Sequence, residues 1–138
     1  MLDHTDKRIL EELKKNARIS MKELGEKIHM TGQATANRVL KLEENGVIEG
    51  YTIHQNHIKT GNLVHSFINI YTKSFDHKPF LSFIETQHPY IVNNFKISGE
   101  GCFLLECRFP SNEELDRFLG ELNRYVNYKL SLVINNNQ

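Results

Sequence analysis

Three short amphipathic helical patterns follow one another between Asp3 and Gly46, too closely spaced for any of them to stand alone. Asp3, with Asp6 three residues on, opens the first; Ile9, Leu10 and Leu13 form its apolar stripe, and Asn16 ends it. Ser20 and Glu23 have capping-box spacing and open the second. There Leu24 and Ile28 lie four apart, with Met21 and Gly25 beside them, and His29-Met30 breaks the pattern. Thr31 can cap the third, and Gly46 stands where a helix takes a left-handed final residue. Isolated helices this short are marginal in water and cannot bury their own stripes. They must pack on one another as a trihelical unit. Helices two and three, joined by a tight turn, have the spacing of a helix-turn-helix; a generic three-helix packing module is the plain alternative.

In the third pattern Val39 and Leu42 face inward, while Gln33, Asn37, Arg38 and Lys41 face out. Those are the side-chain types that pair with base edges and phosphates in a DNA major groove. Any solvated helix carries them too, so their weight comes from their neighbours. Arg38 has a second fate, an internal ion pair with Glu43 or with an acid of the first helix. Lys22, Thr31 and the start of the third helix are expected at phosphate, and Lys14, Lys15 and Arg18 can add a non-specific electrostatic term. Net charge gives no support, because 17 Lys+Arg balance 17 Asp+Glu; a basic face must come from spatial sorting. After Gly46, the run Val47-Ile48-Glu49-Gly50-Tyr51-Thr52-Ile53 is β-like and predicts a short wing strand.

His54 to Asn62 is polar and reads as a linker. His54 and His57 lie three apart with His65 beyond, but no cysteine or carboxylate has a matching spacing. Solvated histidines are the better reading than a metal site; the remaining four, His4, His29, His77 and His88, are scattered.

From Leu63 onward the punctuation is regular. A strand over Val64–Thr72 precedes a helix opened by Asp76-His77-Lys78-Pro79, with Phe80, Phe83, Ile84 and Gln87 on one face and Pro89 as its stop. A strand over Tyr90–Ser98, the tight turn Gly99-Glu100-Gly101 and a strand over Cys102–Phe109 follow. Ser111 and Glu114 form a further capping box, before Leu115, Phe118, Leu119 and Leu122, the strongest helical stripe in the chain. Asn127–Ile134 is the last strand, ahead of a frayed tail. The βαββαβ order is the ferredoxin-like arrangement, with both helices on one face of a four-stranded antiparallel sheet. Whichever residues face the helices, the uncovered face keeps Phe, Tyr or Leu, and a homodimer packed sheet on sheet is the economical way to cover it. Cys102 and Cys107 are too few for a disulfide framework and read as free thiols.

No apolar run approaches the ~20 residues of a membrane span, and the charged N-terminus lacks a signal-peptide core. The expected location is cytoplasmic. No nucleophile–base–acid set, phosphate loop or metal constellation is present in the sequence, so neither catalysis nor a cofactor is expected.

The pieces Leu2-Asp3-x-x-Asp6-x-x-Ile9-Leu10, Ala17-Arg18-Ile19-Ser20-x-x-Glu23-Leu24-Gly25 and Arg38-Val39-x-x-Leu42-Glu43-x-x-Gly46-Val47-Ile48-x-Gly50-Tyr51 resemble the Lrp/AsnC (feast/famine) transcriptional regulators. The resemblance implies an α+β chain: a winged helix-turn-helix DNA-binding domain over 1–52, a linker over 53–62, and a ferredoxin-like ligand-response and oligomerisation domain over 63–138. It further implies binding to double-stranded DNA, a nucleoid-associated location, and homodimers assembling into tetramers or octamers. In the family the turn between the second and third sheet strands binds small effectors, usually amino acids. The aligned residues here are Gly99, Glu100, Gly101 and Cys102, with Cys102 in place of the family's second acid. The chain also departs from the family at Thr31-Gly32, often Ser-Pro, and at Thr35, often apolar; turned inward, Thr35 must bond its hydroxyl to a backbone carbonyl. A rarer relative with the same two-domain plan, the sirohaem decarboxylases, is the enzymatic alternative.

Overall fold

In a computed structural model the described residues are 1–87 and 89–137; His88 and the end of the tail, Gln138, lie outside them. The chain divides into two compact units, Met1–His54 and Gln55–Gln138. Among the described residues no helix is long and apolar enough to cross a membrane.

The first unit is three helices, α1 (His4–Lys15), α2 (Met21–Ile28) and α3 (Gly32–Glu44). The N-terminal cap of α1 is closed in both directions: Asp3 accepts the Asp6 N–H at 2.8 Å, and the Asp6 carboxylate accepts the Asp3 N–H at 3.4 Å. Ser20 caps α2 by accepting the Glu23 N–H at 3.1 Å, so the structure shows the serine half of the box expected there. The helix stops at His29, whose φ of 61° is left-handed. Gly25 lets the following turn close, because a Cβ there would lie 2.5 Å from the Met30 carbonyl oxygen. Thr31 then caps α3 by accepting the Ala34 N–H at 3.1 Å. At the other end Gly46 turns left-handed with φ 73°. The Gly46 N–H meets the Glu43 carbonyl and the Val47 N–H meets the Leu42 carbonyl, the paired bonds of a Schellman ending. Ile9, Leu13, Ile19, Leu24, Ile28, Val39 and Leu42 form one core shared by all three helices.

The wing strand is a correction. Residues 47–53 form no strand. An edge of backbone needs a partner, and the first unit holds no other strand among its described residues. Instead Val47 and Ile48 both donate to the Leu42 carbonyl, and the Ile48 side chain packs against the helical core.

The second unit runs β1 (Val64–Thr72), α4 (Lys78–Thr86), β2 (Ile91–Lys96), β3 (Phe103–Phe109), α5 (Asn112–Leu122) and β4 (Val126–Leu132). The strands lie in the order β2-β3-β1-β4, all antiparallel. This is the ferredoxin-like sheet expected from the sequence. β2 is shorter than the Tyr90–Ser98 span, and its register against β3 slips between Ile91 and Asn93. Ser111 caps α5 by accepting the Glu114 N–H, but the Glu114 carboxylate turns away to Tyr90 and Arg117, so this box too is half-formed.

Alternation sorts the sheet into two faces. Ser66, Ile68 and Ile70 of β1 and Phe103, Leu105, Cys107 and Phe109 of β3 are buried on one face, forming a core with Phe80, Phe83, Leu115, Phe118 and Leu122 of the helices. Burial pushes the Cys107 thiol up to about 12, and the neighbouring Glu106 carboxylate adds to the shift. The opposite face carries His65, Phe67, Asn69 and Tyr71 of β1, Leu104, Glu106 and Arg108 of β3, and Phe95 of β2, and among the described residues the helices of this unit pack on the other side.

Candidate nucleic-acid interface

The buried stripe of α3 is Thr35, Val39 and Leu42. Thr35 is fully buried, and its hydroxyl donates to the Thr31 carbonyl at 2.8 Å, the bond an inward threonine requires. With that stripe fixed, Gln33, Asn37 and Lys41 are exposed on the far side. Thr31 is exposed at the N-terminal end. Lys22 belongs to the same end: a Cβ on Gly32 would lie 3.5 Å from the Lys22 Cα, so the first turns of α2 and α3 abut. Thr31 and the backbone of Lys22 therefore lie at the N-terminal end of α3, the end at which a helix dipole favours an anion.

Arg38 takes the internal fate. Its guanidinium donates to Asp3 at 2.6 Å and to Asp6 at 3.3 Å, tying α3 to the cap of α1. The hydrogen bond from Arg38 is the main reason the Asp3 carboxyl lies below its ordinary range, and the same bond raises Arg38. Glu43, the other partner considered, instead accepts the Tyr51 hydroxyl at 2.9 Å. So the Tyr51 ring anchors the segment after α3 back onto that helix. Lys14 and Arg18 line a groove of about 880 Å³ with Leu10, Leu13, Ile48 and Tyr51. Lys15 pairs with Glu12 at 3.4 Å, which reduces its share of any basic face.

Sequence reasoning passed over two outward residues of α3, Leu40 and Glu44. Leu40 is 51% exposed. An apolar residue is assigned to the core by default, and only its spacing of seven from Gln33 signals otherwise.

In the second unit the turn joining β2 to β3 contains Gly99, Glu100, Gly101 and Cys102. Gly101 has φ 103° and presses on β1, where a Cβ would meet the Ile70 carbonyl oxygen at 2.5 Å. The Cys102 N–H donates to that same carbonyl at 2.7 Å, and its thiol lies 3.3 Å from the Thr72 hydroxyl, which lowers the thiol's pKa. The Glu100 carboxylate accepts the Tyr71 hydroxyl at 2.8 Å, with the Lys129 ammonium 3.8 Å away. The turn thus places an exposed carboxylate and a lysine side by side beside a glycine, Gly99, with open space around it. On the uncovered sheet face, His65 Nε2–H donates to Glu106 at 2.7 Å while its Nδ1 accepts from Arg108 at 3.3 Å. Among the described residues no group of three or more His, Cys, Asp or Glu is placed to hold a metal.

Comparison with known proteins bears on both units. Residues 2–49 match a model described as winged helix-turn-helix DNA-binding, and residues 65–136 match the Lrp/AsnC ligand binding domain. The chain is 57% identical to the HTH-type transcriptional regulator LrpA of Bacillus subtilis, over 97% of this chain and 98% of that protein. It is 42% identical to LrpB of the same organism, over 96% and 89%. Among solved structures, Bacillus subtilis LrpC superposes with a TM-score of 0.93 at 32% identity, covering 100% of this chain and 98% of that one. A Neisseria meningitidis transcriptional regulator, solved as an L-Met complex, superposes with a TM-score of 0.91 at 23% identity, over 100% and 93%.

Proposed function

The chain belongs to the Lrp/AsnC family of DNA-binding transcriptional regulators, and from that premise we propose which of its residues meet DNA, what its second unit binds and how it assembles. The regulator reading displaces the tetrapyrrole-enzyme alternative. Residues 1–52 read DNA, 53–62 serve as linker, and 63–138 respond to ligand and oligomerise. Gln33 and Asn37 hydrogen-bond base edges, with Lys41 at their flank, and Lys22 and Thr31 meet phosphate. Arg38 is held by Asp3 and Asp6, so its contribution is to fix the angle of α3 on α1. The observation that carries this assignment is the exposure of Gln33 and Asn37 opposite the buried stripe of α3. Amides of this kind pair bidentately with adenine, each good pair discriminating by about 1–3 kcal/mol. The test is a gel shift on DNA upstream of the protein's own gene. Affinity should fall steeply with salt, as counterion release demands, and Asn37→Ala should flatten the preference among target sequences while the fold stays intact. No affinity for any fragment at low salt sinks the assignment.

The ligand we propose for the second unit is an amino acid at Gly99, Glu100, Gly101 and Cys102. Glu100 can receive an ammonium in place of Lys129, and Lys129 can take the carboxylate. The L-Met complex of the Neisseria relative supports this chemistry. Thermal unfolding with each amino acid in turn should show a raised midpoint for at least one, lost in Glu100→Gln. A flat response across all of them means the protein works without such an effector. Assembly is proposed as a homodimer through the uncovered sheet face, built up into tetramers or octamers.

A further inference from the structure

On a helix of 3.6 residues per turn, Gln33, Asn37, Leu40 and Glu44 fall within an arc of roughly 60°, opposite the buried stripe. The pole of α3 that points furthest from the core therefore reads amide, amide, leucine, carboxylate along its length. Leu40 sits there 51% exposed, flanked by polar positions, where half of its apolar side chain stays in water. A single exposed leucine needs no explanation elsewhere on a surface. On the pole of a helix that enters a major groove it has a chemical partner. The thymine 5-methyl is the apolar group the groove presents, and it marks thymine against the other three bases.

We propose that Leu40 is a specificity-determining residue that packs on a thymine methyl in the major groove. The inference rests on the DNA-binding reading of α3 and deepens it. Asn37 and Leu40 are three residues apart, about 4.5 Å along the helix axis, close to one base-pair step of about 3.4 Å. Asn37 on an adenine and Leu40 on a thymine methyl thus read neighbouring pairs. Glu44 closes the reading edge, since its carboxylate is repelled by the phosphates flanking the groove. The helix consequently enters with its N-terminal turns, where Lys22 and Thr31 stand, and Leu40 is the last residue on the pole to reach a base.

The test uses the full chain and the duplex it enriches from a random-sequence pool. Each thymine of that duplex is replaced singly by deoxyuridine, which keeps the pairing and removes only the methyl. Wild-type affinity should fall about fourfold at one position per half-site, the factor for losing one buried CH₂-sized group. Leu40→Ala should bind the thymine and uracil forms of that position equally, whereas Leu40→Met and Asn37→Ala should stay sensitive to the methyl. Uracil at every position leaving wild-type affinity unchanged overturns the role of Leu40, as does equal methyl sensitivity in Leu40→Ala. Failure of the wild type to enrich any sequence is a different outcome: it removes the DNA-reading assignment of α3, and this inference with it.

Discussion

Ser66 is buried on the helix-facing side of β1, and its hydroxyl has no hydrogen-bond partner among the described residues. Its strand neighbours on that face, Ile68 and Ile70, are fully buried, and its register partner is the buried Cys107. A hydroxyl in that setting has lost water and gained nothing, at a cost of about 1–3 kcal/mol. Ser66→Ala removes the orphaned group with little change of shape. Chemical denaturation of the variant should show the second unit more stable by about 1 kcal/mol, with the denaturant slope unchanged; a loss of stability means the hydroxyl has a use. The position also shows where sequence reading stops. Alternation separated the strand residues into two sets, because period two is a local rule, but it left open which set faces the helices. Whether a serine finds a partner depends on strands and helices distant in sequence. Arg38 is the same case, with its acid 35 residues away in Asp3. The composition of α3 alone allowed a base, Glu43 or a first-helix acid as its partner.

At the scale of elements, the helix ends were legible and the wing was not. Asp3, Ser20, Thr31 and Ser111 each cap the helix the sequence assigned to them, since a cap is decided within four residues. A strand is decided by its partner, and the β-rich run after Gly46 has none in its own unit among the described residues. The turn between α2 and α3 depends on a packing constraint that sequence spacing does not show. A methyl on Gly25 would strike the Met30 carbonyl oxygen at 2.5 Å and the Thr35 hydroxyl at 2.9 Å. Both atoms belong to the framework that sets the angle of α3, and neither is a flexible side-chain end. Gly25→Ala should cost the first unit about 1–3 kcal/mol by overpacking, visible as an earlier thermal transition. DNA affinity should fall with it, because α3 is displaced even where the unit stays folded. An unchanged transition shows that the turn can shift freely, and that the two helices are not held at one angle by this contact.

For the molecule as a whole, zero formal net charge means that no net-charge attraction draws it to DNA. One α3 offers a short reading edge, Gln33 to Leu40, and a few phosphate contacts. Useful affinity has to come from two copies bound together, where the second contact forms at the effective concentration set by the first. In the proposed homodimer the uncovered sheet face of the second unit is the means. It carries Leu104 beside Phe95 on β3 and β2, with Phe67 and Tyr71 flanking the Asn69 that pairs with Leu104 on β1, and burying it against its own copy needs no other partner. Leu104 lies on a central strand and only half-buried in the single chain, so Leu104→Lys should leave each protomer folded while placing a charge in the proposed interface. Light scattering should then report monomers at micromolar concentration where the wild type gives dimers or their multiples. DNA affinity should drop on the order of a hundredfold, although every residue of α3 is untouched. A monomeric Leu104→Lys that binds DNA as tightly as the wild type would separate assembly from recognition. A wild type that is itself monomeric would leave the apolar face without the role argued for it. The two readouts, taken on the same samples, therefore test the link between the sheet proposed to join two chains and the helices whose pairing the DNA contact needs.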